Sequence, residues 1–79
     1  MMNNMTEKVK KVKKFLEKEN IDGMQTFFTR NIVGDPMVRI YSDNTNNVFI
    51  DICYEYDYLE IFGLTEQEQD QLRSNTKIR

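Results

Sequence analysis

From Val48 to Asp57 the chain keeps two interleaved sets of side chains. Val48, Ile50, Ile52, Tyr54 and Tyr56 occupy one set of alternating positions, and Phe49, Asp51, Cys53, Glu55 and Asp57 the other. A repeat of two is the repeat of an extended strand, so the segment predicts a β-strand with one face on a core and the other largely wet. Such a strand cannot stand alone. It needs neighbouring strands and a further layer of structure over its apolar face.

The cover comes first in the chain. Met5, Val9, Val12 and Leu16 recur at the spacing of one helix face, with Phe15 widening the stripe and Lys10, Lys11, Lys14 and Lys18 falling opposite. This predicts an amphipathic helix from about Glu7 to Glu19, with Thr6 as its N-cap and Asn20 and Gly23 as its stop signals. The neighbours follow. Met24 to Arg30 and Met37 to Tyr41 are rich in β-branched and aromatic residues, and Gly34-Asp35-Pro36 separates them. Asp43 to Asn47 is a turn cluster leading into the alternating segment.

Beyond Tyr56 the phase slips, because Leu59 and Ile61 now flank Glu60. A β-bulge near Asp57-Tyr58 produces such a slip, and so does a short turn into a fourth strand. Under the bulge, Asp51, Glu55, Asp57 and Glu60 share one face. Gly63 ends the sheet, and Thr65-Glu66-Gln67-Glu68 has the pattern of a capping box opening a short helix anchored by Leu64 and Leu72. The expected fold is α+β in the order α-β-β-β-α. It is a small antiparallel meander of three to four strands, covered by the N-terminal helix and followed by a short C-terminal helix. One domain spans 1–79, with frayed ends at about 1–4 and 75–79. The expected core is Val9, Val12, Phe15, Leu16, Phe28, Val38, Ile40, Ile50, Ile52, Tyr54 and Ile61.

Size and composition narrow the function. A domain of 79 residues buries only about 60% of its unfolded surface, which leaves no room for a large catalytic cavity. There is no histidine, hence neither the commonest general base nor the commonest zinc ligand. The single Cys53 offers no disulfide framework, and its acidic neighbours disfavour a thiolate. No apolar run approaches the roughly 20 residues of a membrane span, and Met1-Met2-Asn3-Asn4 leads into lysines rather than into an apolar signal region. A cytoplasmic protein without cofactor, metal or catalytic residues is expected.

Charge is distributed in blocks. The net charge of −2 conceals six lysines against three glutamates in residues 1–20, then eight acids and no base in residues 42–72, then Arg73, Lys77 and Arg79. Opposite blocks can neutralise one another within a monomer or a dimer, or can meet a partner.

The acids invite comparison with a metal site, since same-side strand residues two apart lie about 7 Å from each other and Asp51, Glu55 and Asp57 could share Mg²⁺. A charged solvent face is the simpler reading. Tyr54, Tyr56 and Tyr58 alternate with Glu55 and Asp57, and Glu60 follows. Tyrosine offers large contact area with a polar tip, so this acidic aromatic segment suits a protein interface or imitates nucleic-acid phosphates. Lys10, Lys11 and Lys14 could hold a phosphate backbone, although the helix carries no interleaved aromatics and the pI of the chain is about 5.0. Asn31 to Pro36 has one glycine and no lysine, so it is not a phosphate loop.

Thr29 to Pro36, Cys53 to Tyr58 and Glu60 to Thr65 together resemble small uncharacterised proteins of Gram-positive bacteria, some of which travel with phages, plasmids or integrative transposons. The resemblance covers about two-thirds of the chain. It implies a bacterial cytoplasmic accessory protein and brings no functional residues with it. The expectation is therefore a non-enzymatic interaction module using Tyr54, Glu55, Tyr56, Asp57, Tyr58 and Glu60, with a protein partner or a second copy of itself and no membrane. The alternative is a nucleic-acid-binding or nucleic-acid-mimicking regulator.

Overall fold

In the computed structural model, residues 4–44 and 47–79 are described, Asn4 by its backbone alone. Expectations for residues 1–3, and for Thr45 and Asn46 of the turn cluster, lie outside the described residues. Among those described, the order is α1 (Asn4–Lys18), β1 (Met24–Arg30), β2 (Pro36–Ser42), β3 (Val48–Cys53), β4 (Leu59–Phe62) and α2 (Glu66–Thr76). The strands form one antiparallel sheet in the order β1-β2-β3-β4.

Helix α1 begins before the expected Thr6 cap. Met5 is buried and continues the Val9-Val12-Leu16 stripe one turn upstream, so packing carries the helix past its local start signal. Its end follows the sequence. Asn20 takes a left-handed φ of 63°, the Asn20 amide donates to the Glu17 carbonyl at 3.0 Å and the Ile21 amide to the Leu16 carbonyl at 2.9 Å. This is a Schellman closure, and Ile21 completes it by burying its side chain.

The alternating segment behaves as a strand only as far as Cys53. Strand β2 supplies its partners from Ser42 back to Met37, and the last rung is the Tyr54 amide donating to the Pro36 carbonyl at 3.1 Å. Strand β2 begins at Pro36, and among the described residues no strand lies beyond it to pair with. The chain therefore bends through 54–57 and returns as β4, with the Cys53 amide donating to the Tyr58 carbonyl at 3.3 Å. The phase slip is thus the turn into a fourth strand and not a bulge. Gly63 follows β4 at a φ of 92°, where a Cβ would lie 2.9 Å from the Val48 backbone, so glycine alone fits there.

The capping box of α2 forms as expected: the Glu68 amide donates to Thr65 Oγ1 at 3.1 Å and the Thr65 amide to Glu68 Oε1 at 2.9 Å. The end of the chain is not frayed. Thr76 and Ile78 are buried, the Leu59 amide donates to the Arg79 carbonyl, and the Arg79 amide donates to the Asp57 carbonyl at 3.3 Å. One apolar residue outweighs a polar tail here, because burying Ile78 is worth about 1.5–3 kcal/mol.

One hydrophobic cluster joins both helices to one face of the sheet: Val12, Phe15 and Leu16 from α1, Val38, Ile40, Val48, Ile50, Ile52 and Leu59 from the strands, then Leu72 and Ile78. Val9 and Ile61 pack against it partly buried. Two expected core residues are misplaced. Phe28 and Tyr54 are 57% and 43% exposed, because Phe28 stands on the edge strand and Tyr54 lies in the loop beyond the end of β3 at Cys53. On the opposite face, Phe27, Arg39, Asp51 and Glu60 make one cross-strand row, and Gln25, Tyr41, Phe49 and Phe62 make another.

Candidate functional site: the hairpin end of the sheet

The β1–β2 turn and the β3–β4 loop lie side by side at one end of the sheet. Asn31 organises the first. Its Oδ1 accepts from the amides of Val33 (3.1 Å) and Asp35 (2.8 Å), while Arg30 Nη1 donates to the Gly34 carbonyl at 2.8 Å. An Asn side chain folded inside its own turn holds the backbone and leaves the tip residues facing outward. Ile32 is 101% exposed and Val33 76% exposed, an unusual use of two branched apolar residues. The local pattern does not give their outward aim, because the breaker Gly34-Asp35-Pro36 marks only that the chain turns here. The available signal was an apolar pair placed between a strand end and that breaker.

Asn31 Nδ2 also donates to Tyr58 Oη at 2.8 Å and to Asp35 Oδ2 at 3.2 Å, so the turn is tied to the neighbouring loop. Tyr58 sits partly covered, and desolvation raises its phenol pKa above the ordinary 10.0, opposed by the Asn31 hydrogen bond and aided by Cys53. Phe28 and Tyr54 rings tilt against each other at 5.8 Å between centroids.

The structure divides the six residues expected to act together. Tyr54, Glu55, Tyr56 and Asp57 are exposed on the loop; Tyr58 is a strut of that loop; Glu60 belongs to β4, opposite Asp51 on the outer sheet face. The acids do not share one face. Asp51 is buried and receives both arms of the Arg39 guanidinium, Nε to Oδ1 at 2.7 Å and Nη2 to Oδ2 at 2.9 Å. That carboxylate raises the Arg39 pKa, and the guanidinium lies 4.1 Å over the Phe49 ring, which stacks on Phe62 at 4.4 Å. Asp57 instead meets Lys8 of α1 at 3.2 Å. Among the described residues no three acidic or cysteine side chains converge as a metal site would require, so Asp51, Glu55 and Asp57 are not a common ligand set. Cys53 is fully buried rather than exposed on an acidic face.

Lys10, Lys11 and Lys14 are exposed on α1. A shallow open cleft of about 230 Å³, bordered by Asn20, Ile21, Val48 and Leu64, is smaller than ordinary ligand cavities. No helix among the described residues is long and apolar enough to cross a membrane. Comparison of the chain with protein-family models, curated proteins and solved structures finds no match.

Proposed function

We propose that this chain is a non-enzymatic protein-docking module, an accessory protein of the Gram-positive bacterial cytoplasm, that binds through the hairpin end of its sheet. The observation that carries the reading is the exposure of Ile32 and Val33 on a turn held by five side-chain hydrogen bonds or ties, beside exposed Tyr54 and Tyr56. Rigid apolar and aromatic anchors suit protein interfaces, since little conformational entropy remains to be lost on binding. Burying Ile32 and Val33 in a partner would be worth about 1.5–3 kcal/mol each. Glu55 borders these anchors, whereas Asp57 is already paired with Lys8, so the complementary surface is an apolar groove flanked by a lysine or arginine.

The test is affinity capture from extracts of the native host with three proteins: the unaltered chain, Ile32→Ser/Tyr56→Ala, and Lys10→Glu/Lys11→Glu/Lys14→Glu. Loss of a partner polypeptide with the first variant and its retention with the second supports docking through the hairpin end. Retention with both contradicts it. Nucleic acid captured by the unaltered chain and lost with the lysine reversal would favour the alternative reading.

A further inference from the structure

The sheet treats its two edges differently. Strand β4 has four residues, and its outward Leu59 amide is already occupied by the Arg79 carbonyl. Strand β1 has seven residues, Met24 to Arg30, and among the described residues β2 is its one neighbour in the sheet. Exposed edges are normally guarded by lysine, proline, a bulge or a covering segment. Here the sequence Met-Gln-Thr-Phe-Phe-Thr-Arg has one charge, at its end, and no proline.

The direction of each backbone group follows from the ladder. The Tyr54 amide donates to the Pro36 carbonyl, so the polar groups of Pro36 point to the β3 side. Alternation then turns the even residues of β2 to β3 and the odd residues to β1. Through the register Thr29↔Met37, Phe27↔Arg39 and Gln25↔Tyr41, the odd residues of β1 bond to β2. Met24, Thr26, Phe28 and Arg30 therefore direct their amides and carbonyls away from the sheet.

We propose that two copies of this chain pair antiparallel through β1, with the two-fold axis at Phe27, giving a continuous eight-stranded sheet. This register uses all four outward residues, setting Met24 against Arg30 and Thr26 against Phe28 of the second copy, with about eight inter-chain hydrogen bonds. A shift of two residues either way leaves one outward residue at each end without a strand partner. The side chains agree. Phe27, 44% exposed, meets its own copy at a non-hydrogen-bonded position where side chains approach most closely. Phe28 crosses Thr26, and the two Arg30 side chains stand at opposite ends. The acidic loop expected to mediate self-association is no strand, so it has no ladder to offer. A single strand pair lies at the small end of interfaces, and the association is concentration-dependent. It does not depend on the docking role of the hairpin end.

Sedimentation of the full chain over a concentration series tests this, with Thr26→Pro as the variant. Proline at 26 removes an outward amide and leaves every β1–β2 bond in place. The mass of the unaltered chain is expected to rise from 9.5 kDa toward twice that, and Thr26→Pro to weaken dimerisation at least roughly tenfold. Amide exchange of the unaltered chain gives a second reading that needs no variant. Thr26, Phe28 and Arg30 should gain protection with concentration, while Gln25, Phe27 and Thr29 are protected throughout. A monomer at every concentration, a dimer indifferent to Thr26→Pro, or protection arising elsewhere than the even residues of β1 would overturn the proposal.

Discussion

Asn31 donates its side-chain amide to the phenol oxygen of Tyr58 across 2.8 Å and 27 positions of sequence. This bond joins the base of the β1–β2 turn to the far end of the β3–β4 loop, and so couples the parts of the proposed docking surface. Removing the amide as Asn31→Ala loses that tie and both turn-holding bonds to Oδ1. We expect a cost of about 1–3 kcal/mol in urea unfolding. Amide exchange should quicken at Val33 and Asp35 but not in the strands.

Arg39 and Asp51 offer a test of a different kind, since the aspartate is buried and the arginine only partly so. Arg39→Met leaves a buried carboxylate without its cation and should cost about 3 kcal/mol. Arg39→Met/Asp51→Leu should recover most of the loss, because an apolar pair needs no compensation. Equal damage from the single and the double change would contradict this account of the outer face.

The Tyr58 phenol sets an alkaline limit. Its folded pKa is raised, so above the unfolded value the unfolded chain binds fewer protons than the folded one. The resulting stabilisation is fully present below about pH 10 and is lost as pH rises through the folded pKa. Thermal unfolding should show stability declining from about pH 10 up to the folded pKa, less steeply in Tyr58→Phe. Selective ¹³C labelling of tyrosine should show the phenol at 58 titrating above the ordinary value of 10.0.

Ile78 anchors the end of the chain. Ile78→Ala should cost about 2–3 kcal/mol and release the Arg79 carbonyl from the Leu59 amide, which amide exchange at Leu59 would report.

What sequence could reveal tracks the distance over which each cause acts. The Met24–Arg30 strand, the Asn20 stop and the Thr65–Glu68 box depend on neighbours within a few positions, and the structure carries all three. The end of β3 at Cys53 was not legible, because it is set by where β2 begins at Pro36. Phe28 and Tyr54 look like core residues until the edge position of β1 and the end of β3 are known. Charge blocks mislead in the same way: the acids of residues 42–72 have no base among them, yet Asp51 and Asp57 find Arg39 and Lys8 from other elements. The apolar tip, Ile32 and Val33, was in plain view, but its outward aim depends on the side-chain bonds of Asn31.

The docking surface itself is tested most directly by site-specific photocrosslinking in the native host. A photoreactive phenylalanine analogue would be placed in turn at Ile32, Tyr56 and Lys14, all exposed positions. Positions 32 and 56 should each give one discrete crosslinked polypeptide, and position 14 none. Crosslinks from position 14 alone, or no crosslinked species from 32 and 56, would contradict docking through the hairpin end.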